Sequence, residues 1–191
     1  MKTTLLYLTI VLTLFFGCKE RFSPKPTGYL RIDLNEKIDT LFHPNNCPFY
    51  FNTANYFKLK EKNNCWIDLT YPEHNATIHF TYKSINGNLF ELLEDSRNMV
   101  YKHTIKADAI NEKRYMNYAN NTYGTLYDIK GEAASSVQFH ITDSLHNFIR
   151  GALYFHVTPN QDSLRPIVHY LREDIIRMME TLKWVNLNAS K

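Results

Sequence analysis

Hydrophobic and polar positions alternate most cleanly over residues 76–82. Ala76, Ile78, Phe80 and Tyr82 fall on one side, and Thr77, His79 and Thr81 on the other. This period-two pattern belongs to a half-buried strand. Shorter runs of the same kind occupy residues 30–34 (LRIDL), 49–51, 56–59 and 66–69. Asn52 to Asn55 reads as a turn between the second and third of these, and Pro72 ends the fourth. After Ile85-Asn86-Gly87 the period lengthens. Asn88 precedes Glu91 by three residues, the spacing of a capping box. Leu89, Leu92, Leu93, Ser96, Val100 and His103 then share one side, predicting a helix over about residues 89–105.

The polar stretch through Asn111, Asn117, Asn120 and Asn121 reads as loop. Three further strands follow at 125–130, 136–142 and 148–157, with Val137, Phe139 and Ile141 inward. The breaks between them, Gly131-Glu132 and Thr142-Asp143-Ser144, are hairpin-sized and predict an antiparallel meander. Residues 159–163 lead into a long helix capped by Asp162 or Ser163, with Pro166 in its first turn. Leu164, Ile167, Leu171, Ile175, Met178 and Leu182 form its apolar stripe, joined by Val168 and Met179. About 20 helical residues reach ~30 Å, enough to cross several strands spaced ~4.8 Å apart. The pattern predicts an α+β fold, a mostly antiparallel sheet covered by two helices including the long C-terminal one. No repeat, low-complexity block or long linker interrupts residues 28–187, and residues 28–191 are expected to form a single domain.

The N-terminal stretch follows neither period. Lys2 is the sole charge among the first 16 residues, and residues 5–16 are an apolar run ending at Gly17-Cys18. A 12-residue helix would extend only ~18 Å, short of the ~30 Å core of a bilayer. Residues 1–17 therefore read as a secretory signal peptide. The small Gly17 beside the Cys18 thiol is the arrangement in which a lipoprotein cysteine is alkylated and becomes the new N-terminus, with Phe15 standing where leucine is usual. Two acyl chains suffice for stable anchoring. Residues 18–27, with Pro24 and Pro26, read as an extended lipidated tether.

Charge excludes one class of partner. The chain has 22 basic and 19 acidic residues, a formal charge of +3, and loss of Lys2 with the signal leaves +2. A nucleic-acid binder would carry a basic stripe or a higher pI. With Cys18 assigned to lipid, Cys47 and Cys65 remain, in a chain expected to reach an oxidising compartment. They are either a disulfide closing an 18-residue separation, worth roughly 3 kcal/mol, or two buried thiols on neighbouring strands.

Catalytic signatures are sparse. His79, His140 and His156 sit on predicted strands, where neighbouring strands could bring them to one face, but no metal-ligand spacing accompanies them. Ser135-Ser136 is not in a GxSxG elbow, and the six glycines form no phosphate-cradling loop. Glu94-Asp95 and Glu173-Asp174 stand beside arginines on helices and read as solvated faces. No metal and no cofactor is expected. Lys102, His103, Lys106 and Asp108, at a helix end in an aromatic-rich chain, are the candidate partner-binding residues.

Several blocks taken together resemble a known family: CPFYF at 47–51, WIDLTYPEHNATIHFTYK at 66–83, LLEDSRNMVYKHTIKADAI at 92–110, GTLYDIKGEAASSVQFHITDS at 124–144, GALYF at 151–155, and the closing helix to Lys183-Trp184. They are similar to the gliding motility lipoprotein GldD family over residues 18–184. The resemblance implies a non-enzymatic accessory lipoprotein of the bacterial gliding machinery, which depends on the type IX secretion system, with other gliding proteins as partners. The functional residue it carries over is the lipidated Cys18. A lipoprotein enzyme or ligand carrier acting on cell-envelope material is the alternative. Lys19, where an inner-membrane retention signal would place Asp, favours a periplasm-facing position on the outer membrane.

Overall fold

In the computed structural model, the described residues are Leu34, 36–158 and 160–185. The signal peptide, Cys18, the tether and most of the strand expected at 30–34 lie outside them. Ten strands and two α-helices follow in the order β1 (Asp39–Phe42), β2 (Phe49–Ala54), β3 (Lys58–Glu61), β4 (Ile67–Tyr71), β5 (Ala76–Ser84), α1 (Leu89–Tyr101), β6 (Ala107–Asn117), β7 (Thr122–Gly131), β8 (Ser135–Thr142), β9 (Asn147–Phe155), α2 (Gln161–Thr181) and β10 (Lys183–Trp184). Seven strands form one sheet in the order β3-β4-β5-β9-β8-β7-β6, and β1-β2-β10 form a small second sheet. Every pairing is antiparallel. The fold is α+β, as the alternation and helical stripes predict.

Register explains the core. Leu69 faces Ile78, Ile78 faces Leu153, and Leu153 faces Val137 across four strands. Directly opposed residues of an antiparallel sheet share a face, so these side chains with Phe80, Phe139, Ile141 and Leu126 build one apolar surface. Helix α2 lays Leu171, Ile175, Met178 and Met179 on it, and β2 adds Phe49 and Phe51. Gly151 on β9 lies beneath the Phe139 ring: a Cβ there would come within 2.1 Å of it. The opposite face is covered only in part. There α1 packs Val100 over Tyr127, Ile129 and Ala133, so the two helices sit on opposite sides of the large sheet.

Several local expectations change. Residues 49–51 and 56–59 do not form a hairpin, because β2 runs on to Ala54 in the small sheet while β3 is an edge of the large one. Asn88 does not cap α1 with its side chain; its Oδ1 accepts instead from the Asn86 N–H at 2.9 Å. That helix is α-helical to Tyr101 and tightens to 3-10 over Lys102–Ile105. The stretch expected as loop from Asn111 is the 11-residue strand β6, at the sheet edge, where little burial is available and charged residues are tolerated. Helix α2 is capped by Asn160, whose side chain accepts from the Ser163 N–H at 3.1 Å. Starting at Gln161, the helix places Pro166 beyond the first turn. It stops at Leu182, whose extended backbone turns the chain into β10 against β2.

Candidate functional site

Four features surround this scaffold. The first is the junction between the two sheets. Cys47, just before β2, and Cys65, just before β4, are joined by a disulfide with Cα atoms 5.6 Å apart. Asn64 and Cys65 take positive φ values of 60° and 56°, the left-handed backbone that tightens this turn.

Beyond the disulfide opens a cleft of about 1060 Å³. Its aromatic wall is Trp66, Tyr82 and Trp184. Phe49 supports two of these rings from inside, with centroids 6.0 Å from Tyr82 and 6.4 Å from Trp184. The Trp66 indole N–H donates to the Tyr82 carbonyl at 3.2 Å. Asn46, Asn64, Asn86 and Asn147 contribute to the lining with Lys83, Asp143 and His146. Asp143 is held by its own loop. Its carboxylate accepts from the backbone N–H groups of Leu145, His146 and Asn147 and from the Asn147 amide. Burial pushes its pKa up, and those hydrogen bonds outweigh it, leaving the group below the ordinary carboxylate value.

The second feature is the polar part of the sheet face that α1 leaves open. His79, His140 and His156 do share that face: Ala152 of β9 stands between His79 and Gln138, Arg150 stands between Thr81 and His140, and His156 follows Tyr154, the partner of Thr77, by two residues. Each imidazole has its own environment. His79 Nδ1 lies 2.7 Å from Asp68, which Lys62 reaches from the other side at 2.6 Å. Burial raises the Asp68 pKa, but the Lys62 and His79 hydrogen bonds prevail and lower it overall. His156 Nε2 is 2.8 Å from the Thr77 hydroxyl. Buried His140 stacks on Phe148, and burial pushes its pKa down to about 4. Among the described residues no three His, Cys, Asp or Glu side chains gather in a metal-holding group.

The third feature is the end of α1. Lys102, Lys106 and Asp108 are exposed, whereas His103 is half-buried and its pKa is lowered by burial and by Arg150. Ile105 stands among them at 89% exposure. It escapes a pattern reading because its neighbours are polar and it belongs to no stripe.

The fourth feature fastens the N-terminal segment. Lys37 Nζ lies 2.8 Å from Asp174 Oδ1, donates to the Tyr170 carbonyl at 2.7 Å, and sits 4.2 Å from the Tyr170 ring centre. The Tyr56 hydroxyl donates to the other Asp174 oxygen. Asp174 is only 3% exposed, so the reading of Glu173-Asp174 as a solvated face fails for Asp174. The signal was available: Asp174 follows Leu171 by three residues and precedes Met178 by four, inside the apolar stripe. Burial raises its pKa above the ordinary value despite Lys37 and Tyr56.

No curated protein sequence matches this chain. The expected lipid attachment at Cys18 lies outside the described residues. The family model described as gliding motility lipoprotein GldD matches residues 19–184, almost everything that follows Cys18, and the chain belongs to that family of cell-envelope lipoproteins.

Proposed function

We propose that this protein is a lipid-tethered, non-enzymatic accessory component of the gliding machinery and its associated type IX secretion apparatus, acting by protein contact. In this reading the signal peptide 1–17 is removed, Cys18 carries the acyl chains, and residues 18–27 hold the domain on the periplasmic side of the outer membrane. Membership of a gliding lipoprotein family supports the process. The observation that carries the contact surface is Ile105, an apolar side chain at 89% exposure with exposed Lys102, Lys106 and Asp108 close by in sequence. An apolar anchor with a charged rim is the arrangement of a protein-binding hot spot. The non-enzymatic reading draws on the Asp68–His79 pair, in which His79 hydrogen-bonds only Asp68 among the described residues, leaving it without a nucleophile to activate.

A photoreactive amino acid at position 105 of the full chain, in gliding cells, tests the reading. Light-dependent crosslinks to one or a few envelope proteins are expected, together with loss of gliding in Ile105→Asp at unchanged protein level. Absence of crosslinks, or gliding and secretion intact after deletion of the protein, overturns it.

A further inference from the structure

We infer that the cleft between Trp66 and Trp184 binds an uncharged oligosaccharide. This goes beyond the protein-contact reading and does not depend on it. Three observations carry it.

The cleft is built of aromatic faces and carboxamides. Trp66 is 42% exposed, and Trp66, Tyr82 and Trp184 offer flat apolar faces that the C–H side of a pyranose ring covers. Around them, the side-chain amides of Asn46, Asn64 and Asn86 are exposed and make no hydrogen bond among the described residues. Each amide supplies donors and an acceptor together, the complement of neighbouring sugar hydroxyls.

Charge is sparse in the cleft. Lys83 and Asp143 are the charged side chains of the lining, and both Asp143 oxygens are engaged by its own loop. No arginine lies there to grip phosphate or carboxylate in a fork.

The shape suits a chain. The volume of about 1060 Å³ slightly exceeds the ~300–1,000 Å³ of small-molecule sites. A second hollow of about 740 Å³, lined by Tyr50, Tyr123, Asn120 and Asn121, adjoins it through shared Asp143, His146 and Trp184. A peptide adding as a strand is disfavoured, because the Trp66 indole already occupies the Tyr82 carbonyl that β5 would offer it.

Both tryptophans of the chain line this cleft, so intrinsic fluorescence reports on it directly. The full lipidated protein in detergent is titrated with chitohexaose, cellohexaose and a ten-residue proline-rich peptide. A saturable emission change with at least one hexasaccharide, with Kd below about 1 mM, is expected. Trp66→Ala and Asn86→Ala should each weaken binding by about tenfold, followed by calorimetry, while Trp66→Phe retains most of it and far-ultraviolet dichroism stays unchanged. No response to either sugar overturns the inference. So does sugar binding indifferent to Trp66→Ala and Asn86→Ala, or a response to the peptide alone, which would assign the cleft to a protein ligand.

Discussion

The Lys37 ammonium lies 2.8 Å from the Asp174 carboxylate, joining the segment that leads from the N-terminus to the middle of helix α2. The ammonium also rests over the Tyr170 ring and donates to its carbonyl. Asp174 is thus a buried acid whose charge is matched by one partner from a distant part of the chain.

Removing that partner should leave a buried carboxylate to be neutralised or exposed. Lys37→Ala is expected to lower stability by about 1–3 kcal/mol in urea unfolding. In the Asp174→Asn background the same change should cost much less, and a double-mutant cycle measures the coupling. Equal losses in both backgrounds would show that Lys37 acts through packing alone.

Gly151 is required by the ring above it. Gly151→Ala forces Phe139 to move and should cost about 1–3 kcal/mol, the usual range for overpacking a filled core. Phe139→Ala alone should cost about 3–5 kcal/mol. In the double variant the alanine occupies vacated space, so its loss should fall below the sum of the two.

The Cys47–Cys65 bridge closes the loop holding β2 and β3. The double Cys→Ser variant should be less stable by about 3 kcal/mol, and a reductant should lower the Tm of the native protein while leaving the variant unchanged. Thiol counting after denaturation without reductant checks the starting state.

Acid should act through Asp143 and Asp68. Both have folded-state pKa values below their ordinary ones, so the folded state binds fewer protons than the unfolded chain in that range. Their contribution is present above an unfolded value of about 3.9 and is lost as pH falls through the folded values. Asp174 is shifted the other way: its contribution is present below about 3.9 and fades as pH rises through its raised value. Asp143→Asn should flatten the acid side of the stability profile, whereas Asp174→Asn should flatten the side just above it. Unfolding midpoints between about pH 2 and 7 separate the two.

The elements legible in the sequence are those whose burial has a regular period. Strand β5, the meander β7 to β9 and the stripe of α2 each present a one-sided apolar face, and burial imposes that face on the residues themselves. β6 lacks it, since an edge strand at the sheet margin has almost nothing to bury. The site was harder to read for a different reason. Trp66 and Trp184 are far apart in sequence and come together only because β10 pairs with β2 and the disulfide holds the turn before Trp66 against the start of β2. No local pattern encodes such a meeting. Asp174 was masked by Glu173: adjacent carboxylates look alike in a composition, although successive helical positions point about 100° apart.

The lysine clasp and the aromatic cleft lie at opposite ends of the large sheet. Tyr170, under Lys37, is near the turn joining β4 to β5, where His74 meets its ring, while Tyr82 and Ser84 at the far end of β5 border the cleft. The nine residues of β5 separate those ends by about 26 Å. A pull between those two ends would therefore run lengthwise along β5 and β9. Their nine paired positions would share that load in shear, with many hydrogen bonds resisting together instead of parting one by one. For a gliding motility lipoprotein, the sheet is then a strut set along the line from clasp to cleft.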